Sequence, residues 1–208
     1  TNDMQKIFTQ LTGLGKTLHL KELIQAPFSL HGFIIEKIEE QIIIAVAGGE
    51  GRVRARMNSL VDAGVIDALY RASQAGVQIE LLVRGVCMLK AGVKGLSSNI
   101  RVISVLGRFL EHSRVFCFGS GESAQLYISS ADWMPRNFFN RVEIAVPVEG
   151  ESMRRVKYEC LDIYFKDNQY CWELQSDGQY KRLTAGKDEP FSAQHELIER
   201  HDAGPAHG

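Results

Sequence analysis

The sequence predicts an α/β fold, and three observations carry that prediction. Two strand patterns, Arg52–Met57 and Val77–Val83, flank a helical pattern, and the whole unit takes about thirty residues. An amphipathic helix pattern precedes the unit. Several short runs rich in branched and aromatic residues follow it. A strand–helix–strand unit of this length implies a crossover connection, so its two strands are expected to lie parallel.

Each element follows from local pattern. Residues 1–28 are loosely patterned, with Gly13 and Gly15 interrupting any helix and Pro27 closing the stretch. They are expected to form a linker from a preceding domain, and the domain proper is expected to span 29–202. Ser29 is a candidate N-cap, and Leu30, Phe33, Ile34, Ile38, Ile42 and Ala45 recur at helical spacing until Gly48-Gly49. Arg52, Arg54 and Arg56 alternate with Val53, Ala55 and Met57, which reads as a strand with one cationic face. Asn58 or Asp62 opens the next helix, through Val65, Ile66, Leu69 and Tyr70 to Gly76. Further strands are expected at 100–105, 114–118, 125–129 and 142–148. A helix is expected over 151–165, with Met153, Val156, Cys160 and Ile163 on one stripe. Tyr170–Leu174 and Tyr180–Leu183 read as a hairpin around Asp177-Gly178. The tail 203–208 is expected to be disordered. No internal repeat is present.

Bulk properties bound the function. The chain has 208 residues, 45% hydrophobic and 24% charged, as a soluble domain would. The apolar run from Gln41 to Ala47 is far too short to span a membrane. The start, Thr-Asn-Asp-Met-Gln-Lys, has no signal-peptide pattern and no initiator Met, as expected of a piece of a longer chain. Cys87, Cys117, Cys160 and Cys171 lie far apart without C-x-x-C spacing. Free buried thiols in a reducing cytoplasm are therefore expected, with no metal site in this chain. Residues 52–114 hold ten Lys/Arg against four acids, although the formal net charge of the chain is only −1. Such a local excess argues for an anion site rather than for nucleic-acid binding.

Three segments carry candidate chemistry. In Val83-Arg84-Gly85, an apolar strand ends in a cation beside a glycine, which permits close backbone approach and a clamp on phosphate. The plainer reading of Arg84 is a surface arginine paired with a helix acid. In Arg108-Phe-Leu-Glu-His-Ser-Arg114, His112 and Arg114 fall on one side of the start of a buried strand, with Arg108 nearby. A group that moves protons near neutral pH thus sits beside a permanent cation. Glu111 is expected to point the opposite way. The remaining histidines read as surface or satisfied core residues. The third segment, Ser129–Asn137, ends a strand in hydroxyls and then offers Asp132, Arg136 and Asn137. Ser130, Asp132, Arg136 and Asn137 could donate to phosphate or orient His112; alternatively Ser130 and Asp132 cap the short helix that follows. There is no G-x-x-x-x-G-K-[ST] loop, no G-x-G-x-x-G and no H-E-x-x-H. Gly13-Leu14-Gly15-Lys16-Thr17 has only the end of a P-loop, with its first glycine misplaced.

These segments, together with Met57–Asp62, Ala68–Val77, Ser98–Val102 and Arg141-Val142-Glu143, resemble the C-terminal catalytic domain of bacterial polyphosphate kinase, family one. The similarity runs from about Leu11 to Val148. The resemblance implies a phospholipase D-like mixed β-sheet flanked by helices. It implies reversible transfer of the terminal phosphate of ATP to polyphosphate through a phosphohistidine, which would lie upstream of Thr1. Within this chain it assigns Arg84 to ATP and phosphate, His112 to phosphate binding and proton transfer, and Arg114 to phosphate. Mg2+ is expected for the full enzyme, with its ligands upstream. ATP or ADP, polyphosphate, the preceding domains of the same polypeptide and further copies of the enzyme are the expected partners. The expected location is the cytoplasm, with peripheral attachment to the inner membrane left open, and the isolated piece is expected to be inactive. Against the wider superfamily pattern H-x-K-x4-D, Arg114 replaces the lysine and Gly119 the aspartate. That departure disfavours a stand-alone phosphodiesterase that dimerises to pair two His112 sites. A non-catalytic polyanion-binding module built on 52–114 is the third reading.

Overall fold

Three strands form the parallel heart of the molecule, and the sheet grows outward from them with antiparallel neighbours. The computed structural model describes residues 2–13 and 20–202. Strand β2 (Arg52–Met57) pairs in parallel with β3 (Gln78–Val83), and β3 with β4 (Ile100–Val105). Helix α3 (Ala63–Gln74) makes the crossover between β2 and β3. Asp62 is its N-cap, accepting from Val65 N at 2.9 Å, and Gly76 turns the chain at φ +97°. Strands β5 (Val115–Phe118), β6 (Gln125–Ser129) and β7 (Glu143–Val148) extend one side antiparallel, and β8 (Cys171–Leu174) and β9 (Tyr180–Arg182) the other. With β1 (Ile24–Ala26) the order is β1-β7-β6-β5-β2-β3-β4-β8-β9. A mixed α/β sheet flanked by helices, as expected, is what forms.

Period-two alternation sorts each strand between two layers. Val53, Ala55, Met57, Ile79, Leu81, Val83, Phe116 and Phe118 face α2 (Leu30–Val46) and α3 in the main core. Leu82, Ile103, Val105, Val115 and Cys117 face the opposite layer, formed by α5 (Gly150–Lys157), the turns after it and α6 (Ala193–Asp202).

Two expectations need correction, one helix is added, and one cap is kept with different bonding. Residues 1–28, read as a linker, contain helix α1 (Asn2–Leu11) and strand β1, which pairs with β7. Asp3 docks the helix by accepting from the backbone N–H groups of Lys21, Glu22 and Leu23 at 2.8, 2.8 and 3.3 Å. The Glu22 amide above all pulls the Asp3 carboxyl down to about 2, against the cost of its burial. The helix over 151–165 is not continuous. After Lys157 it widens into a π-turn (Tyr158–Asp162) and then a 3-10 turn (Tyr164–Lys166). The wider turn rotates the stripe, so Met153, Val156 and Cys160 join one cluster and Ile163 the other. Helix α6 has no counterpart in the sequence pattern, because it offers little besides Ala193 and Leu197 as an apolar stripe. Ser29 caps α2 without a side-chain bond to the helix; its hydroxyl bonds to Gln25 O instead, at 3.2 Å. The P-loop-like residues 14–17, His19, the tail 203–208 and His207 lie outside the described residues.

Candidate functional site

The carboxyl ends of β2, β3 and β4 share one edge of the sheet, and β5 begins there, since Arg56 lies opposite Val115. In sheets of this kind ligands gather at that edge. Arg84 follows β3, and its Nη1 donates to the Glu111 carbonyl at 2.5 Å. Arg114 Nη1 lies 3.1 Å from Nδ1 and 3.5 Å from Nε2 of His112, and donates to the His112 carbonyl at 3.1 Å. The Nε and Nη2 groups of Arg114 donate to the two oxygens of Asp132, at 3.3 and 3.2 Å. Asp132 also accepts from Asn58 N at 2.7 Å and Ser59 N at 3.3 Å. The Asn58 amide turns its oxygen to Arg114 Nη2 (2.5 Å) and its nitrogen to the Glu111 carbonyl (3.2 Å). Arg84, His112, Arg114 and Asp132 are therefore one hydrogen-bonded group drawn from three loops.

Backbone contacts hold those loops together. Gly85 N donates to Asn58 O at 2.8 Å, and a Cβ at Gly85 would stand 3.0 Å from that oxygen, which is why glycine follows Arg84. Leu60 N donates to Val86 O, while Val61 N and Asp62 N both donate to Trp133 O. His112 is exposed, Arg84 and Arg114 are half-buried, and Asp132 is buried.

Other expected site residues separate from this group. Ser130 Oγ and Asn137 Nδ2 both bond to the buried carboxylate of Glu143, so they brace the start of β7 rather than orient His112. Neither Ser130 nor Asp132 caps the short helix α4 (Pro135–Phe139). Its N-cap is Met134, and Asp132 is committed to the β2 loop and Arg114. Arg136 is exposed on α4 and makes no ion pair among the described residues. Arg84 pairs with no helix acid among the described residues. The carboxylate of Glu111 points away from His112, as expected, into a buried cluster with Arg56, Tyr164 and Gln194. Among the other described histidines, His31 bonds to Asp62, His195 to Glu199 and His201 to Glu159.

The cationic face of β2 also needs correction. Arg54 and Arg56 are buried under the α5–α6 layer. Arg54 pairs with Glu80 and Asp162 and stacks on Phe165, and Arg56 pairs with Glu111 and stacks on Tyr164, 4.1 Å from the ring centroid. Arg52, Arg71 and Arg101 are matched to Glu80, Glu39 and Glu173. With Arg114 held by Asp132, six of the ten local cations are thus paired with carboxylates. At the site edge Arg84 and Arg108 have no carboxylate partner among the described residues. Burial alone would raise Asp162, but the bonds from Arg54 and Lys157 outweigh it and hold that carboxyl below its usual range.

Gly119 marks the far edge of the sheet. Its φ is +90°, its N donates to Arg52 O at 2.8 Å, and a Cβ there would meet Ser123 O at 3.2 Å. The extended strand between Arg114 and Gly119 carries them roughly 17 Å apart. An aspartate at 119 could not reach His112, so the departure there does not bear on chemistry at this edge. Among the described residues no group of three or more His, Cys, Asp or Glu is placed to hold a metal. The four thiols are free; burial pushes them up, Cys171 to about 12. Among the described residues no helix is long and apolar enough to cross a membrane.

The family model described as "Polyphosphate kinase C-terminal domain 2" matches residues 23–194. A polyphosphate kinase of Burkholderia vietnamiensis is 53% identical over 186 residues, which are 89% of this chain and 27% of that protein. One of Pseudomonas putida is 50% identical over 202 residues, 96% of this chain and 28% of that protein. The crystal structure of polyphosphate kinase from Porphyromonas gingivalis superimposes with a TM-score of 0.90 at 35% identity, covering 97% of this chain and 31% of that one. The chain spans a little over a quarter of the length of the curated relatives it matches.

Proposed function

This chain belongs to the polyphosphate kinase C-terminal domain 2 family, and on that premise we propose that it supplies the phosphate-holding and proton-moving half of an ATP:polyphosphate phosphotransferase site. The observation that carries the reading is the joining of Arg84, His112 and Arg114 at one sheet edge through the Glu111 carbonyl and Asp132. Phosphoryl transfer needs little covalent help from the protein; it needs charge placed in advance where the migrating group becomes most anionic. Arg84 is free of any carboxylate among the described residues and can meet phosphate oxygens. Arg114, fixed by Asp132, holds its Nη1 beside the His112 ring, so that phosphate arriving there meets the cation and the imidazole together. His112, exposed, passes a proton to or from the phosphate oxygen. Mg2+, if bound in the full enzyme, would supply charge neutralisation; on this reading its ligands and the phosphoryl-accepting histidine would lie outside this chain.

The binding-module reading loses part of its basis, because Arg52, Arg54 and Arg56 are paired internally. The test uses the full-length enzyme. His112→Ala and Arg84→Ala should each remove most ATP-dependent polyphosphate synthesis while the protein stays folded. Full activity in folded His112→Ala would end the role given to that residue. Hydrolysis of a generic phosphodiester by the unmodified protein would favour the phosphodiesterase reading instead.

A further inference from the structure

We propose that Gln194, on the C-terminal helix α6, is a positioning residue for Arg84 and His112, acting through the backbone of residues 109–111; the inference rests on the reading of the site given above. Between β4 and β5, residues 107–113 pair with no strand among the described residues; only the ends do, Leu106 N donating to Tyr170 O and Arg114 O accepting from Ser129 N. Nor does apolar burial hold this segment, since Phe109 is 51% and Leu110 78% exposed. Hydrogen bonds must do so, and Gln194 provides them. Its Oε1 accepts from Phe109 N at 2.9 Å, and its Nε2 donates to Phe109 O at 2.9 Å, as a neighbouring strand would. The same Nε2 donates to the Glu111 carboxylate.

Glu111 is then fixed from two further elements, by Arg56 of β2 and by the Tyr164 hydroxyl at 3.0 Å. With its side chain held on the inner face, Glu111 turns its carbonyl outward to Arg84, and the next residue is His112. The amide of Gln194 is buried and both its polar atoms are spent on this segment. Gly107 fits the arrangement. A Cβ there would overlap the Gln194 side-chain oxygen and stand 2.8 Å from its Cδ, although the backbone at 107 is ordinary. Helix α6 has separate anchors, including Ala193 N to Asp167 at 2.9 Å and Ala193 and Leu197 in the core. Fastening the helix therefore does not by itself require three bonds to the loop.

A misplacement of about 1 Å in reacting groups costs on the order of a hundredfold in rate. In the full-length enzyme, Gln194→Ala should lower kcat by about 10- to 100-fold, with KM for ATP changed by less than roughly threefold. Gly107→Ala should lower kcat in the same direction by displacing the amide. The double variant should turn over no more slowly than Gln194→Ala alone, because the added methyl then meets vacant space. A folded Gln194→Ala enzyme with unchanged kcat overturns the proposal, and so do losses that multiply in the double variant. If Gln194→Ala does not fold, Gly107→Ala decides alone, and an unchanged kcat there overturns the proposal. Wild-type turnover in Arg84→Ala and His112→Ala would instead overturn the reading of the site. Loss of activity in those two beside normal Gln194 and Gly107 variants would overturn only the positioning role.

Discussion

Replacing Asp132 by asparagine tests the geometry of the edge with the smallest change of shape. Asp132 accepts two bonds from Arg114, at 3.3 and 3.2 Å, and two from backbone N–H groups, at 2.7 and 3.3 Å. In Asp132→Asn the new amide can keep the bond from Asn58 N through its oxygen, but its nitrogen then faces the Arg114 guanidinium, donor against donor. A hydrogen bond to a charged group contributes about 1.5–3 kcal/mol, and removing one member of a buried ion pair costs about 3–5 kcal/mol. The Arg114 side chain is 15% exposed and keeps the His112 carbonyl and Asn58 oxygen as acceptors, so the lower figure applies, about 2 kcal/mol. With a urea m-value near about 2 kcal/mol per molar, the midpoint should fall by about 1 M. Asp132→Ala should cost about 1–2 kcal/mol more, because it also strips the buried Asn58 N–H of its acceptor. Urea unfolding followed by intrinsic fluorescence, with a phosphoryl-transfer assay alongside, reads both effects. Asp132→Asn within about 0.5 kcal/mol of the parent and fully active would refute the argument that this carboxylate sets Arg114.

Two further outcomes follow from positions away from the edge. Gly119→Asp, which completes the last position of the pattern H-x-K-x4-D, should lower thermal stability because φ is +90° and Ser123 O lies 3.2 Å from the new Cβ. It should confer no phosphodiesterase activity, and hydrolysis of bis-p-nitrophenyl phosphate by the variant would contradict the placement of 119 at the far edge. Asp162 has its carboxyl held below the usual value of 3.8. A depressed folded-state value stabilises above the unfolded value and loses that contribution as pH falls through the folded one. Melting temperatures of the parent and Asp162→Asn should therefore differ most above about pH 5 and draw together as pH falls below the usual carboxylate value, and a gap that widens on acidification would be inconsistent with the Arg54 and Lys157 bonds.

What is legible in the sequence is local. The Asp62 cap, the Gly76 stop and the alternation of β2 and β3 depend on neighbours a few residues apart, and the strand–helix–strand unit follows from them. The candidate site is legible where residues at strand ends carry unusual chemistry, as at Arg84, His112 and Arg114, which the fold brings to one edge. Asp132 is among the candidates, but capping and orienting cannot be separated until the 58–59 loop is beside it. Gln194 leaves no signal, because it lies 83 residues from Glu111 and looks like any polar residue at a helix start. Helix α1 is masked by the glycines that follow it, although Met4, Ile7, Phe8 and Leu11 have helical spacing.

The local charge excess along the chain changes its meaning once the fold pairs its members. Ten cations against four acids in residues 52–114 imply an anion site. The acids that neutralise Arg54 and Arg101, Asp162 and Glu173, come from beyond that window, 108 and 72 residues away from their partners. Strand alternation sends Arg54 and Arg56 beneath the α5–α6 layer, where they organise the interior. Yet Arg56 returns to the site indirectly, because the carboxylate it holds belongs to Glu111, whose carbonyl receives Arg84. The acids nearest the edge, Glu111 and Asp132, are both spent on arginines, so neither opposes an incoming phosphate. Glu111 is committed inward and Asp132 to Arg114, which leaves Arg84 and Arg108 without a carboxylate among the described residues, and a count of charges along the chain contains no term for those pairings.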